Sequence, residues 1–512
     1  MNSLYLTELV PELIVAIGAC ITLFVGVGRA ASARDSAAGI AVATLAIALV
    51  ASIASGRPDP ADSPPGMQLT ALTLYVRCIA LAIGILILLV NWHVPTTEER
   101  GEFYCLILFS ILGLMLTAGA DDLVVLFFAI ELVSVPTYVL IALSRENARA
   151  SEASVKYFFL GAMATALMVY GFSFLYGVAG TTTLQGGSGQ AMSVVFGRME
   201  ALPSFALVGL LLALAGLFFK IAAVPFHVYA PDVYEGAASP VTGLLGFLPK
   251  AAGFVAIVKL FSVMNWTLPQ SALWLMWFVA AATMTVGNVL ALRQSNVKRI
   301  LAYSSIAHSG YMLIAVLVGP VAGEGPMRDG VTAMLFYITV YAVMNLGAFA
   351  VLAALQVRGE AVEELDALTG LSRRHPGAAL ALTVCTFSLM GFPPTAGFLG
   401  KVYVFSSAFS LADDHVFRGP LIVLAVIGVI NSAIAAAYYL RIAGACYLRE
   451  PLVETEPAAG QPLRLGFVLC SVAMLLLFLW PSPVVKQAQH ASAGLGPPPP
   501  EQPAGLAASD LD

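Results

Sequence analysis

Apolar runs of about 20 residues, enough to cross a ~30 Å hydrocarbon core, recur along nearly the whole chain with short polar breaks between them. The pattern predicts membrane helices over residues 9–28, 37–55, 72–92, 103–119, 122–143, 154–178, 203–227, 238–262, 271–292, 299–319, 330–356, 377–409, 419–447 and 465–482. The first run carries Glu8 and Glu12 where a signal peptide would have a basic region, so it reads as a membrane helix. Two spans are awkward. The stretch 203–227 holds Lys220 and Pro225, and 377–409 is too long and contains Gly391-Phe392-Pro393-Pro394. Each reads as a helix broken in its middle. The expected fold is an all-α polytopic membrane protein of about 14 transmembrane helices.

The two broken helices, each with one lysine, lie in corresponding places about five helices apart. Interrupted apolar segments repeated in two halves point to inverted repeats and a mid-membrane site. An odd spacing gives equivalent helices opposite orientations, so two inverted five-helix repeats are predicted, each with a broken helix.

Composition agrees with a bilayer environment. Of 512 residues, 59% are hydrophobic and 11% charged, against roughly 25% charged in a soluble domain. The six cysteines, Cys20, Cys78, Cys105, Cys385, Cys446 and Cys470, form no CxxC pair, and no histidines have HxxxH or HExxH spacing. They read as small hydrophobes between helices, and no metal or iron–sulfur site is expected. No basic stripe suggests nucleic acid. GFLGKV falls short of a phosphate loop, with Thr395 for the first glycine and Val402 after the lysine. Redox or hydrolytic chemistry is therefore expected on other chains, and no catalytic residue is expected here.

Lys and Arg in the loops set the orientation. With the N-terminus outside and the sides alternating, 15 basic residues fall inside and 7 outside. Arg29, Arg145, Lys298 and Arg358 are among the 15, and Arg57 and Lys486 among the 7. Both termini are thus expected outside. The tail after Pro481, with its GPPPPEQPAG run, reads as disordered and extramembrane. The loop 180–200 reads as a flexible outer connection, and 358–376, the most charged stretch, as a merely solvated inner loop, with a docking surface as the alternative.

The tally leaves Lys220, Lys250 and Lys401, which join Glu131 in the middle of apolar runs. An ionised group at the bilayer centre is disfavoured by roughly 2.5–3.5 kcal/mol, and such residues mark ion paths. Lys259 and Arg77, near helix ends, fit snorkelling instead. A proline stands near each central charge: Pro136, Pro225, Pro249 and Pro393-Pro394. A helix-interior proline frees a carbonyl, which in a membrane must find a side chain or water, so small hydrated pockets are expected there. Burial favours a neutral lysine and a nearby carboxylate favours the charged one, so Glu131 and Lys220 together suit a proton relay. His227 and His308 are secondary proton-path candidates; hydrogen bonding between helices is an equal reading of both. His93, His375, His415 and His490 read as bystanders.

At these residues the chain resembles a known family. VPFHVYAPDVYEGAASPVTGLLGFLPKAAGF is similar to the seventh–eighth helix signature of the antiporter-like membrane subunits of respiratory complex I. LMGFPPTAGFLGKVYVF resembles their twelfth-helix break, and EASVKYFFLGA the start of their sixth helix. The resemblance is strongest to the subunit-N branch of bacterial NADH:quinone oxidoreductases, through PKAAGF around Lys250, a lysine at 401, and a short tail. Tyr229 stands where that family usually has tryptophan. The resemblance implies that Glu131 and Lys220 load a proton, Lys250 connects and Lys401 releases it. It implies an N-terminal three-helix segment over 1–101, inverted repeats over 102–262 and 263–448, and a last helix and tail over 449–512. It implies partners among other complex I subunits, in a bacterial inner membrane. NADH, FMN, iron–sulfur clusters and quinone would lie on those subunits, with no cofactor on this chain. The alternative is a subunit of a multisubunit Na⁺/H⁺ antiporter.

Overall fold

Helices that are apolar on every face must be covered by other helices or by lipid. Among the described residues, eleven spans are long and apolar enough to cross a membrane, with Ser239–Val263 taken as one, and three shorter helices, Val10–Gly26, Ser204–Lys220 and Pro376–Met390, are also apolar. The computed structural model describes residues 7–496 apart from 29–30, 59, 96–98, 146, 187–190, 200, 322–324, 358, 413–414 and 459. Arg29, Arg358 and the 497–512 part of the tail thus lie outside the described residues.

In chain order the helices are α1 (Val10–Gly26), α2 (Ala31–Ser55), α3 (Ala71–Val90), α4 (Arg100–Gly119), α5 (Leu123–Leu143), α6 (Ala148–Ala179) and α7 (Met192–Gly197). There follow α8 (Ser204–Lys220), α9 (Ala230–Gly236), α10 (Ser239–Leu245), α11 (Leu248–Val263), α12 (Gln270–Leu292), α13 (Val297–Val318) and α14 (Gly330–Ala353). The last are α15 (Leu371–Arg374), α16 (Pro376–Met390), α17 (Ala396–Ser407), α18 (Arg418–Leu448), α19 (Gln461–Leu479) and α20 (Ser482–Ala493). The core of the bundle is α11, buried along its whole length, with α13 and α14, buried except at Arg299 and at Ala353. The outer helices α2, α6, α12, α18 and α19 turn Ile47, Phe159, Phe278, Val429 and Leu476 outward, the side chains expected against lipid tails.

Small residues set how closely the helices approach. A Cβ on Gly216 of α8 would lie 2.5 Å from the Ala164 carbonyl oxygen of α6. That approach sets Thr165 beside the end of α8. Both awkward spans are broken: α8 stops at Lys220 and no α-helix resumes until Ala230, and α16 stops at Met390 with α17 starting at Ala396. A third interruption, at Gly246–Phe247, divides the span expected as one helix over 238–262. It falls just before Pro249, whose missing N–H leaves a gap in the ladder.

Four other expectations need correction. The inner loop is not merely solvated: it buries Val362, Leu365, Leu368 and Leu371, and Leu355–Val357, Glu360–Ala361 and Glu456–Pro457 form a small antiparallel sheet with the first strand in the middle. The segment after Pro481 is not a coil: α20 buries Val485, Ala488, Ala491 and Ser492, and Ser492 Oγ donates to Asp329 Oδ1 at 2.9 Å. Arg77 and Lys259 do not snorkel. Arg77 is buried and its Nε donates to Glu12 Oε1 at 2.6 Å, while buried Lys259 donates to the Ala120 carbonyl at 2.7 Å. Lys298, counted as an inner loop charge, is fully buried. Its Nζ donates to the Glu235 and Ala237 carbonyls, both at 2.6 Å, and lies 3.3 Å from Glu363 Oε1.

Glu363 also meets Arg145 Nη1 at 2.6 Å. This loop residue therefore ties the end of α5 to the start of α13. Burial works to raise the Glu363 pKa, but Lys298 and Arg145 overcome it and hold the carboxyl below its ordinary value near 4.5.

Two predictions follow from these ion pairs. Arg77→Leu alone leaves Glu12 as a buried, unpaired carboxylate, and should be destabilising by about 3–5 kcal/mol. The double variant Glu12→Leu/Arg77→Leu should recover most of that loss in thermal unfolding in detergent; equal losses would disprove the pairing. A carboxyl with a depressed folded pKa adds stability above its unfolded value and loses it as pH falls through the folded one. The gap in melting temperature between wild type and Glu363→Gln should therefore be widest near neutrality and shrink once acid titration passes below about 4.5.

Candidate functional site

The end of α8 delivers Lys220 into the bundle, 2% exposed at its side chain, with Nζ 2.9 Å from Glu131 Oε1 on α5. Ser134 Oγ accepts from the same ammonium at 2.7 Å, and Tyr138 Oη and Thr165 Oγ1 lie at 3.4 Å. Thr165 Oγ1 also donates to Glu131 Oε1 at 2.8 Å. Glu131, Ser134 and Tyr138 share a face of α5 by i, i+3 and i+7 spacing, so one helix face supplies three of the four groups.

After Lys220 the chain unwinds, with Ala222 left-handed at φ 54. Side chains satisfy the freed backbone. Tyr229 Oη donates to the Phe219 carbonyl at 2.8 Å, Ser309 Oγ to the Ile221 carbonyl at 2.6 Å, and the Val224 N–H donates to Thr283 Oγ1 at 3.0 Å.

Ser309 links the break to the next lysine. Lys250 Nζ donates to Ser309 Oγ at 2.9 Å and to the Ser305 carbonyl at 2.5 Å, and faces the Tyr341 ring. A small cavity between Lys220 and Lys250 is lined by Tyr157, Tyr229, Tyr234 and Pro249, with room for about one water molecule. It lies beside Pro249, where the sequence predicts a small pocket.

His308, one residue from Ser309, carries the polar line onward. Its Nδ1 is 2.7 Å from Tyr337 Oη and its Nε2 3.1 Å from Tyr439 Oη, which in turn meets Ser304 Oγ. Its ring edge meets Tyr311, and Lys401 Nζ sits 5.1 Å from the centre of the Tyr311 ring. Lys401 itself donates to the Met390 carbonyl at 2.7 Å and to Ser432 Oγ at 2.8 Å. The break makes this possible. Gly391 is left-handed at φ 84, and a Cβ there would lie 2.7 Å from Lys401 Cδ.

The four central charges and His308 thus lie along one polar line through the bundle. His227 does not join it: it sits in the unwound segment, half-buried, with no hydrogen-bond partner for Nδ1. Ser134, Tyr138, Thr165, Ser305, Ser309, Tyr337, Tyr439 and Ser432 complete the line and were not singled out by sequence. Hydroxyl residues are common in membrane helices as interhelical glue. Of the groups on the line beyond the four charges, sequence pointed only to His308, which lies within SSIAHSGY. Among the described residues no cluster of three metal-ligating side chains occurs.

The family model "NADH:quinone oxidoreductase/Mrp antiporter, TM" matches residues 120–435, which carry all four charges. NADH-quinone oxidoreductase subunit N of Rhodospirillum rubrum is 36% identical over 500 residues, covering 96% of this chain and 98% of that protein. The protein of that name from Trichlorobacter lovleyi is 36% identical over 493 residues, covering 96% of this chain and 97% of its own. Among solved structures, a chain of respiratory complex I from Thermus thermophilus with bound aureothin superposes with a TM-score of 0.75 at 31% identity, covering 93% of this chain and 98% of that one. A chain of the Mrp complex from Dietzia sp. has a TM-score of 0.80 at 20% identity, covering 97% and 98%, a likeness of fold alone. With its matching model, its relatives and its line of buried lysines, the chain belongs to the NADH:quinone oxidoreductase/Mrp antiporter membrane family.

Proposed function

We propose that this chain is the proton-translocating membrane subunit, of the subunit-N type, of an NADH:quinone oxidoreductase. The observation that carries the reading is the succession of buried polar clusters inside an apolar bundle: Glu131 with Lys220, Lys250 with Ser309, His308 with its tyrosines, and Lys401 over the Tyr311 ring. It acts within an enzyme whose electron transfer lies on other subunits, which hold NADH, FMN, iron–sulfur clusters and quinone. Its partners are the neighbouring antiporter-like and small membrane-arm subunits. An Mrp-type Na⁺/H⁺ antiporter subunit is the competing reading. The relatives named subunit N, at 36% identity over nearly the whole chain, favour the first.

Within this reading, Glu131 and Lys220 take up the proton, Lys250 relays it through Ser309 and His308, and Lys401 releases it. His227 stands outside the path. The eleven long spans and three short apolar helices support fourteen crossings. The breaks after Lys220 and Met390 support inverted repeats over 102–262 and 263–448, framed by 1–101 and 449–512. The loop charge bias supports both termini on the outer side, and the bacterial relatives named subunit N support an inner membrane, whose outer side is the periplasm.

Two measurements test this. Purified through a tag on this chain, the assembly should bring flavin and iron–sulfur proteins with it; an assembly free of both would favour the antiporter. In vesicles, Lys220→Ala should reduce proton pumping to a small fraction of wild type in a fully assembled complex, and unchanged pumping would refute the relay.

A further inference from the structure

Away from the polar line, a groove of about 550 Å³ runs down the outside of the bundle between α2, α3, α14 and α20. Its floor is α3, from Leu74 through Tyr75, Cys78, Ile79 and Ile83 to Leu86. Twelve residues of helix rise about 18 Å, a little over half of a ~30 Å hydrocarbon core. The groove therefore has the length of one leaflet.

The hydroxyl groups that the described residues put on its inner wall are all hydrogen-bonded within the protein. Tyr75 Oη is hydrogen-bonded to the Leu335 carbonyl at 3.0 Å and to Thr339 Oγ1 at 2.9 Å. Ser52 Oγ and Thr339 Oγ1 each donate, at 2.9 Å, to the carbonyl four residues back in their own helices. A hydrocarbon chain fits such a wall, and a polar ligand or peptide backbone does not.

The mouth is different in kind. Exposed Arg57, just past the end of α2, and exposed Gln487 of α20 line it. Arg57 Nη2 meets His490 Nδ1 at 2.6 Å, and Lys486 is exposed one residue before Gln487. No acidic residue is among the described residues that line the groove. α20 is amphipathic and rests its apolar face on the bundle, as a helix lying at the membrane surface does. A basic mouth over an apolar slot one leaflet long matches the two halves of a phospholipid.

We propose that this groove is a binding site for an anionic phospholipid, with its phosphate at Arg57 and one acyl chain along α3. The site is separate from the proton path and does not depend on the reading given for it.

The test uses the assembled complex that contains this chain, reconstituted with phosphatidylglycerol or phosphatidylcholine carrying a photoactivatable group in the acyl chain. Cross-links are mapped by mass spectrometry. The α3 segment 74–86 should cross-link about fivefold more to phosphatidylglycerol, the ratio for about 1 kcal/mol per basic residue at an anionic surface. Arg57→Gln should lower that yield to the phosphatidylcholine level, and Arg57→Lys should keep most of it. Equal yields from the two lipids would overturn the proposal in favour of unselective lipid. No cross-link from either would overturn it in favour of a neighbouring subunit in the groove.

Discussion

A helix broken inside a membrane leaves carbonyl oxygens that lipid cannot satisfy, and a lysine buried there leaves a charge that lipid cannot solvate. In this bundle the two liabilities cancel. Lys401 puts its ammonium on the Met390 carbonyl, the last of α16. Lys298 caps the carbonyls of Glu235 and Ala237 where α9 ends, and Lys259 caps Ala120 where α4 ends. Lys220 is itself the last residue of α8. Helix C-termini carry partial negative charge from the aligned peptide dipoles, so each of these cations rests where the backbone field already favours it. The breaks create the cation sites, and the cations make the breaks tolerable.

This arrangement explains which parts were readable in the sequence. Lys220, Lys250, Lys401 and Glu131 stood out because they lie far from any end of an apolar run, and the two breaks because proline and glycine mark them. Lys298 did not. It sits one residue into α13, so by position it resembled a loop charge, and its burial depends on Glu363 some 65 residues later folding back over it. Arg77 and Glu12 were both visible as charges near helix ends, but their pairing joins α1 to α3, and no local pattern records it. α20 was hidden by the proline-rich run that follows it. The hydroxyls that complete the polar line were indistinguishable from those that only bond their own helix, as Thr386 does to the Leu382 carbonyl.

Lys250 departs from the rule the other lysines follow. It has neither a carboxylate like that of Glu131 nor a helix end beneath it, and its ammonium rests on the Ser305 carbonyl in the middle of α13, on Ser309 Oγ and over the Tyr341 ring. Its charge is therefore the least compensated of the three central lysines. Ser309 also bonds the Ile221 carbonyl beside Lys220, so a shift of the unwound segment after α8 alters the oxygens that hold Lys250. Coupling between the two sites needs no long-range wire: one serine hydroxyl and a water-sized cavity span the gap. In the proposed relay, a protonated Lys220 would hold Glu131 close and fix the segment, and Ser309, bonded to both the Ile221 carbonyl and Lys250, is the group through which loss of that proton would reach Lys250.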